Sequence, residues 1–244
     1  MGSYGRDFAA IYDAAWSPWT DRVWPAILRL ARTNAPGGTR WLDLCCGTGG
    51  LLRLASRAGY ETAGIDLSAH QLRFARRNAP LALLRRQDVR RLSVPGRWDV
   101  ITCMYDSLNY VLDERGVRQA LARTKLHLAS GGVLLFDVNT IESHAAFWNH
   151  TDVERSPGSV VLVEGTYARR TRLGRIAITG FVRQGKLWRR FDEEHLQRSY
   201  PKGVIEGQLR RLGFRFVTYE RPKGLRLRRV GRSKRGLIFV CTLD

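Results

Sequence analysis

The chain has 244 residues, 44% of them hydrophobic, and its 41 basic against 22 acidic side chains give a net charge of +19. Such a length suits one α/β domain with an insertion or a small lid. No apolar run approaches the roughly 20 residues of a membrane-spanning helix, and the N-terminal residues lack a signal-peptide core. We therefore expect a cytoplasmic protein with no membrane contact.

The charge bears on possible nucleic-acid partners, and the cysteines bear on disulfide bonds and metal sites. A strongly basic chain can bind nucleic acid by neutralising phosphates, but only five basic residues are lysines, and the arginines are spread over every segment. That distribution also fits a bias toward arginine codons, so RNA stays an alternative partner. Cys45, Cys46, Cys103 and Cys241 form neither a disulfide framework nor a metal-binding spacing.

A helical pattern opens the chain. Tyr4, Phe8, Ile11 and Tyr12 recur on one helical face, and a second helix ending near Asn34 is predicted after a break at Ser17-Pro18. One interpretation of these residues is a surface helix that packs its aromatic rings, that of Tyr12 among them, on the core.

A glycine-rich turn follows the first predicted strand, Trp41–Leu44. Gly47, Gly49 and Gly50 leave the backbone bare, and leucines recur at helical spacing behind them. A strand, a glycine turn and a helix are typical of a nucleotide-binding α/β unit, whose ligand lies at the carboxyl end of the strand. The dinucleotide fingerprint requires a third glycine, but Leu52 stands there.

Acidic residues follow the next two predicted strands. Asp66 lies nineteen residues beyond Gly47, where this type of fold places a carboxylate on ribose hydroxyls. An ionised carboxylate only accepts hydrogen bonds and so suits a vicinal diol. The alternative is an ordinary turn residue. A third strand, Leu81–Arg86, leads to Asp88.

The fourth and fifth strands are predicted at Trp98–Met104 and Val133–Val138, with helix Glu114–Leu128 between them. The fourth strand runs into Tyr105-Asp-Ser-Leu-Asn-Tyr110. Loops on rigid strand ends commonly carry function, although Asp106 or Ser107 could simply cap a helix.

These motifs together resemble those of a known family. Asp43-Leu-Cys-Cys-Gly-Thr-Gly49 is similar to the first motif of class I S-adenosylmethionine (SAM) methyltransferases, and Asp-Ser-Leu-Asn-Tyr110 resembles a bacterial branch of them. Phe8-x-x-Ile-Tyr-Asp13 resembles the N-terminal cap of many such methyltransferases, which implies, as the alternative to packing on the core, that the helix of Tyr12 closes over the cofactor. The resemblance spans about residues 4–140 and resumes after 200. It implies a Rossmann-like three-layer sandwich with a seven-stranded mixed sheet of order 3-2-1-4-5-7-6.

The resemblance also implies SAM as cofactor and a set of residues that hold it. Asp66 would bind the ribose, Asp88 the adenine amino group and the main chain at Val89 an adenine ring nitrogen. NAD is disfavoured, because a dinucleotide brings phosphates whereas SAM brings a sulfonium and an amino group that acids favour. The implied cofactor-binding set is Tyr12, Asp43, Cys45, Gly47, Thr48, Gly49, Asp66, Leu67, Gln71, Asp88, Val89, Met104 and Tyr105, with Gln71 where family members often have Met.

The alternation of strands and helices stops after the fifth strand. Antiparallel strands are predicted at Ser159–Tyr167, Arg172–Arg183 and Lys186–Arg198, with turn signals between them. We predict a small antiparallel sheet inserted over the substrate pocket, dividing the chain into residues 1–139, 140–199 and 200–244. Such an exposed sheet could pair two subunits into a homodimer.

The C-terminal residues are expected to complete the core sheet. A helix at Pro201–Leu212, a sixth strand from Gly213-Phe214 and a last strand at Gly236–Leu243 are predicted. Between the last two strands, residues 221–235 hold eight basic side chains and no acid. A solvated loop or hairpin is the usual explanation of such a run, and a polyanion site the alternative.

The sequence offers few candidates for a general base. His195, Asp106 and Tyr12 are the candidates we retain, with His144 behind them, and a lone histidine is more often structural. No metal-ligand spacing is visible among the histidines. The expected function is SAM-dependent methylation of an oxygen or nitrogen on a small molecule. The alternatives are a tRNA or rRNA methyltransferase and a non-catalytic SAM- or NAD-binding module.

Overall fold

A computed structural model describes residues 4–221, 228–229 and 236–243. Its helices are α1 Arg6–Ile11, α2 Ser17–Asn34, α3 Gly50–Arg57, α4 Ala69–Asn78, α5 Glu114–His127, α6 Ile141–Phe147 and α7 Lys202–Arg211. The strands are β1 Arg40–Leu44, β2 Glu61–Asp66, β3 Leu83–Arg86, β4 Trp98–Cys103, β5 Leu128–Val138, β6 His150–Ser156, β7 Ser159–Ala168, β8 Leu173–Gln184, β9 Leu187–Arg198, β10 Arg215–Glu220, β11 Arg228–Arg229 and β12 Leu237–Thr242.

The main sheet has the strand order β11-β10-β12-β5-β4-β1-β2-β3. The strands from β5 to β3 are parallel, whereas β12 runs antiparallel to β5 and to β10. Apart from the two-residue edge strand β11, this is the predicted order 3-2-1-4-5-7-6, so the predicted Rossmann-like mixed sheet is confirmed.

Helices cover both faces of this sheet, which explains its apolar strands. Trp41, Leu42 and Leu44 in β1 are all buried, because a central parallel strand packs against helices on both sides. One apolar cluster joins the sheet to α2 and α3, and another joins it to α5 and α7. Asp113 caps α5 by accepting the Gly116 N–H over 2.7 Å. The result is a three-layer sandwich.

The inserted antiparallel sheet is also confirmed, but it has four strands in the order β6-β7-β8-β9. Sequence analysis missed β6. Six of its residues, 151–156, are exposed, so the strand lacks the buried alternation that signals a half-buried strand. Phe8 and Ile11 of α1 pack on Val161, Val163 and Ile178 of the insertion. The N-terminal helix therefore lies against this second sheet.

The N-terminal helices differ from the prediction at their junction. The predicted break at Ser17-Pro18 is wrong: α1 continues through a π-helical turn, Tyr12–Trp16, directly into α2. A proline lacks the N–H that a helix interior uses, and here the helical path departs from α-helical geometry in the π-helical turn just before Pro18. No helix in the described part of the chain is both long and apolar enough to cross a membrane.

Candidate active site at the carboxyl ends of the parallel strands

A cavity of about 330 Å³, here called the glycine-loop cavity, opens where β1, β2, β3 and β4 end. Of the thirteen residues predicted to bind the cofactor, it is lined by twelve: Tyr12, Asp43, Cys45, Gly47, Thr48, Asp66, Leu67, Gln71, Asp88, Val89, Met104 and Tyr105. Gly49 is not among the lining residues. Residues that are distant in sequence thus meet in one place, because parallel strands end at the same edge of the sheet.

Gly49 supports the cavity from behind. Its φ is +81°, and a Cβ there would lie 3.0 Å from the Cα of Ala75 in α4. Glycine reaches this left-handed conformation without the penalty of other residues. Gly49 therefore permits both the turn and the close packing of α3 on α4.

Asp66 ties the end of β2 to the glycine turn. One carboxylate oxygen accepts the Gly47 N–H over 2.9 Å, and the other accepts the Ser68 N–H over 2.8 Å. Burial raises the pKa of Asp66, and the main-chain donors counteract part of that rise. The carboxylate therefore has a local structural role in addition to lining the cavity.

Asp43 lies deeper and is almost completely buried. Its carboxylate accepts the hydroxyl of Thr102 over 2.6 Å, and Thr102 in turn accepts the indole N–H of Trp41. Burial raises the pKa of Asp43 to about 7. This chain of bonds fixes Asp43 between β1 and β4.

Asp88 is held by a residue that sequence analysis did not identify. The guanidinium of Arg90 pairs with both of its oxygens, with nitrogen–oxygen distances of 2.5–3.0 Å. This hydrogen-bonded ion pair lowers the pKa of Asp88 and keeps it ionised. An adenine amino group would thus meet a carboxylate already engaged on one side.

Backbone strain is concentrated at the same strand ends. Cys45, Tyr105 and Asp106 have φ values of +56°, +64° and +49°, which are uncommon for residues with a side chain. Strained backbone that the fold maintains is characteristic of functional sites. The strain occurs where β1 and β4 lead into the loops of the cavity.

A second cavity of about 520 Å³, here called the cap cavity, lies between α2 and the sheet near β5 and β12. Its lining includes Asp106, Asp137 and Arg221. Six residues line both cavities: Tyr4, Tyr12, Thr20, Met104, Tyr105 and Tyr110. The two spaces therefore meet at a wall that is mostly aromatic.

The charged cluster in the cap cavity is a second feature that sequence analysis missed. Arg221 pairs with Asp137 and lies 3.5 Å from a carboxylate oxygen of Asp106. Asp106 makes no capping bond to the short 3₁₀ helix Ser107–Tyr110 that follows it, and accepts the amide of Gln197 over 2.6 Å instead. Arg221 begins the basic run 221–235, of which residues 222–227 and 230–235 lie outside the described part of the chain.

Neither candidate histidine lines the glycine-loop cavity or the cap cavity. His195 is 2% exposed, with Nδ1 3.5 Å from the Tyr110 hydroxyl and Nε2 3.2 Å from Glu193. His144 is buried between Trp148 and Tyr167, and burial lowers its pKa. Of the predicted catalytic residues, Tyr12 lines both cavities and Asp106 lines the cap cavity. Among the described residues, no group of three or more acidic, thiol or imidazole side chains is placed to hold a metal ion.

The glycine-loop cavity fits an adenosyl sulfonium ligand. Gln71 lines the cavity and is 1% exposed, and its amide oxygen is a buried acceptor with no hydrogen-bond partner in the structure. Three carboxylates on the wall, those of Asp43, Asp66 and Asp88, suit a diol, amino groups and a positive charge.

Comparison with known proteins decides the family. A family model described as a methyltransferase domain matches residues 42–132. The protein YqeM of Bacillus subtilis (strain 168), named as a methyltransferase, is 31% identical over 221 residues, covering 86% of this chain and 85% of YqeM. The chain belongs to the class I SAM-dependent methyltransferases. It is thus a SAM-dependent enzyme, as the resemblance of its motifs implied.

Two further relatives extend the comparison. A SAM-dependent methyltransferase from Clostridium acetobutylicum ATCC 824 has 26% identity and a TM-score of 0.84, covering 98% of each chain. The dTDP-3-amino-3,4,6-trideoxy-alpha-D-glucopyranose N,N-dimethyltransferase of Streptomyces venezuelae is 28% identical over 191 residues, covering 78% of this chain and 81% of the relative. Membership of a branch marked by the motif at 106–110 stays a prediction.

Proposed function

We propose that this methyltransferase transfers the methyl group of SAM to an amine nitrogen of a small molecule bound in the cap cavity. The observation that carries the proposal is the junction of the two cavities. Met104, Tyr105 and Tyr110 line both, so a ligand in one can contact a ligand in the other. An oxygen acceptor is the alternative within the same reaction class.

The acidic groups of the cap cavity favour an amine over a hydroxyl. Asp106 and Asp137 share one arginine, Arg221, and the tyrosines Tyr4, Tyr12 and Tyr110 stand nearby. Aromatic faces and carboxylates both attract an ammonium group. The Streptomyces venezuelae relative, by its name, methylates the amine of a small molecule, which supports the same choice.

In this proposal the glycine-loop cavity holds SAM. Asp66 binds the ribose, Asp88 and the main chain at Val89 bind the adenine beside Leu67 and Gln71, and the remaining residues that line the cavity hold the methionine portion. SAM supplies an activated methyl group on a sulfonium. The protein aligns the acceptor with it, and positioning alone can lower the barrier by about 7–11 kcal/mol.

An acceptor panel tests the proposal. The enzyme is incubated with SAM and either dTDP-amino sugars, the matching dTDP sugars with hydroxyl in place of amine, or phenols, and product masses are measured. We expect methylation of an amine, and strong loss of that activity in Asp106→Asn but not in Asp152→Asn on exposed β6. Methylation of the hydroxyl compounds alone would contradict the choice of nitrogen.

The net charge of +19 favours a second candidate, methylation of RNA. Binding through phosphates weakens steeply as salt is raised. Methyl transfer to bulk tRNA or rRNA, with affinity that falls between 50 and about 200 mM salt, would support this candidate. No shift of RNA at low salt would exclude it.

Two other expectations stay predictions: the cytoplasmic location, and a homodimer formed through the inserted sheet. Light scattering measures whether the protein is a dimer.

A further inference from the structure

The surroundings of His195 are those of a general base rather than of a histidine that only packs in the core. The imidazole is buried under the N-terminal segment, with ring centroids 4.7 Å from Tyr4 and 5.3 Å from Phe8. Its two nitrogens face different groups: Nδ1 lies 3.5 Å from the Tyr110 hydroxyl, and Nε2 lies 3.2 Å from a carboxylate oxygen of Glu193.

Tyr110, His195 and Glu193 form a row of three side chains, here called the array. Glu193, at its far end, is fixed in place. Its other carboxylate oxygen accepts the main-chain N–H of Gly5 over 2.6 Å, and the side chain is only 11% exposed. Nε2 and the Glu193 oxygen lie at ion-pair distance, but the two atoms are not aligned as a hydrogen bond. A nearby carboxylate favours a proton on Nε2 over one on Nδ1, which leaves the lone pair of Nδ1 on the side of Tyr110.

Tyr110 connects the array to the site. It lines both cavities, and its hydroxyl also lies 3.0 Å from the hydroxyl of Tyr4. We propose that Glu193, His195 and Tyr110 form a proton relay that removes the proton of the acceptor in the cap cavity. Tyr110 is the catalytic residue that touches the acceptor, whereas His195 and Glu193 act through it. The relay rests on the proposed amine methylation.

The step conserves protons. An ammonium group gives one proton to the Tyr110 oxygen while the phenol proton of Tyr110 moves to Nδ1 of His195. The products are a neutral amine, an unchanged tyrosine and an imidazolium ion beside Glu193. The free amine then has the lone pair that attack on a methyl group requires.

Tyr110 does not suffice without the histidine. Burial raises its pKa to about 12, so the phenolate is scarce at neutral pH and a neutral phenol must pass its proton on. The imidazole nitrogen beside the Tyr110 hydroxyl can take that proton as a general base. The titratable groups around His195 are Glu193 on β9, Tyr110 after β4 and Tyr4 before α1, whereas its partner on β8 is the apolar Ile176. Asp106 acts on the relay through Tyr110.

The tautomer of His195 tests the relay without any acceptor. Histidine is labelled with ¹⁵N in the full chain, the protein is saturated with S-adenosylhomocysteine, and the His195 signals are assigned by their loss in His195→Gln. We expect the neutral ring to be protonated on Nε2, and the Nδ1 signal to move in Tyr110→Phe but not in Tyr167→Phe, whose hydroxyl bonds Ser199 instead. A neutral ring protonated on Nδ1, or no response to Tyr110→Phe, would overturn the relay.

Kinetics supply the second arm, with an amine that the acceptor panel identifies. We expect His195→Gln to lose about 10²–10⁴-fold in kcat with little change in KM. Methylation with an unchanged kcat in His195→Gln defeats the relay but not the proposed function. The expected tautomer without methylation of any amine defeats the proposed function and leaves the array intact.

Discussion

The buried carboxylate of Asp137, at the end of β5, accepts the main-chain N–H of Asp106, after β4, over 3.0 Å. Because Asp106 has a φ of +49°, this bond holds a conformation that the chain would not prefer alone. The guanidinium of Arg221 pairs with the same carboxylate. An ion pair between β5 and the end of β10 thus supports the strained turn where the two cavities meet.

Removal of Arg221 should leave Asp137 with an uncompensated buried charge. We expect Arg221→Gln to lower the free energy of unfolding by about 3 kcal/mol and to weaken S-adenosylhomocysteine binding, since Met104 and Tyr105 adjoin the turn. Chemical denaturation and calorimetry measure the two effects. Arg210→Gln, at an exposed position of α7, serves as the control, and equal stability of both variants would contradict this role of Arg221.

The same variant should change the dependence of stability on pH. Burial already raises the pKa of Asp137 to about 6, and Arg221 opposes that rise. A carboxyl group with a raised pKa in the folded state costs stability as pH rises from its unfolded value through its folded value. Without Arg221 the folded pKa moves higher, so Arg221→Gln should lose more stability than the wild type between about pH 6 and 8. Parallel curves would show that the pair does not control this titration.

Asp43 should make the free energy of unfolding depend on pH over a lower range than Asp137 does. Its pKa of about 7 in the folded protein lies above the ordinary value, so stability falls as pH rises from about 4 to 7. Asp43→Asn keeps an acceptor for Thr102 but has no charge to bury. Denaturation without ligand should show the variant gaining on the wild type over this range, by up to about 4 kcal/mol. A constant difference across the range would argue against a neutral buried Asp43.

The two reasons for a glycine at position 49, its left-handed φ and its contact with α4, can be distinguished by comparison with Gly37. Gly37 has a φ of +79°, close to the +81° of Gly49, but a Cβ at Gly37 would meet nothing within 4 Å. Gly37→Ala should cost about 1–2 kcal/mol for the left-handed conformation alone. Gly49→Ala should cost more, because its Cβ also pushes α3 from α4. Thermal unfolding checks this, and equal losses would mean that the helix contact is unimportant.

The sequence predicted those parts of the site whose residues can be recognised from short motifs and from their spacing along the chain. Asp66 and Asp88 each follow a strand, and their spacing from the glycine turn predicts that they meet. Arg221 was not recognised, because its contact with Asp137 depends on how β10 and β12 return to the sheet. The link between His195 and Tyr110 spans 85 positions, and no periodicity relates them. Strand β6 was missed because its exposed residues carry no buried alternation.

Calorimetric titration of the wild type and of Asp66→Asn with S-adenosylhomocysteine tests the central claim most directly. Asp66 accepts two main-chain N–H groups and faces the cavity, so we expect at least about tenfold weaker binding by the variant. Asp152→Asn should bind like the wild type, and NAD should not bind. An unchanged affinity in a folded Asp66→Asn variant would contradict the assignment of the glycine-loop cavity to SAM.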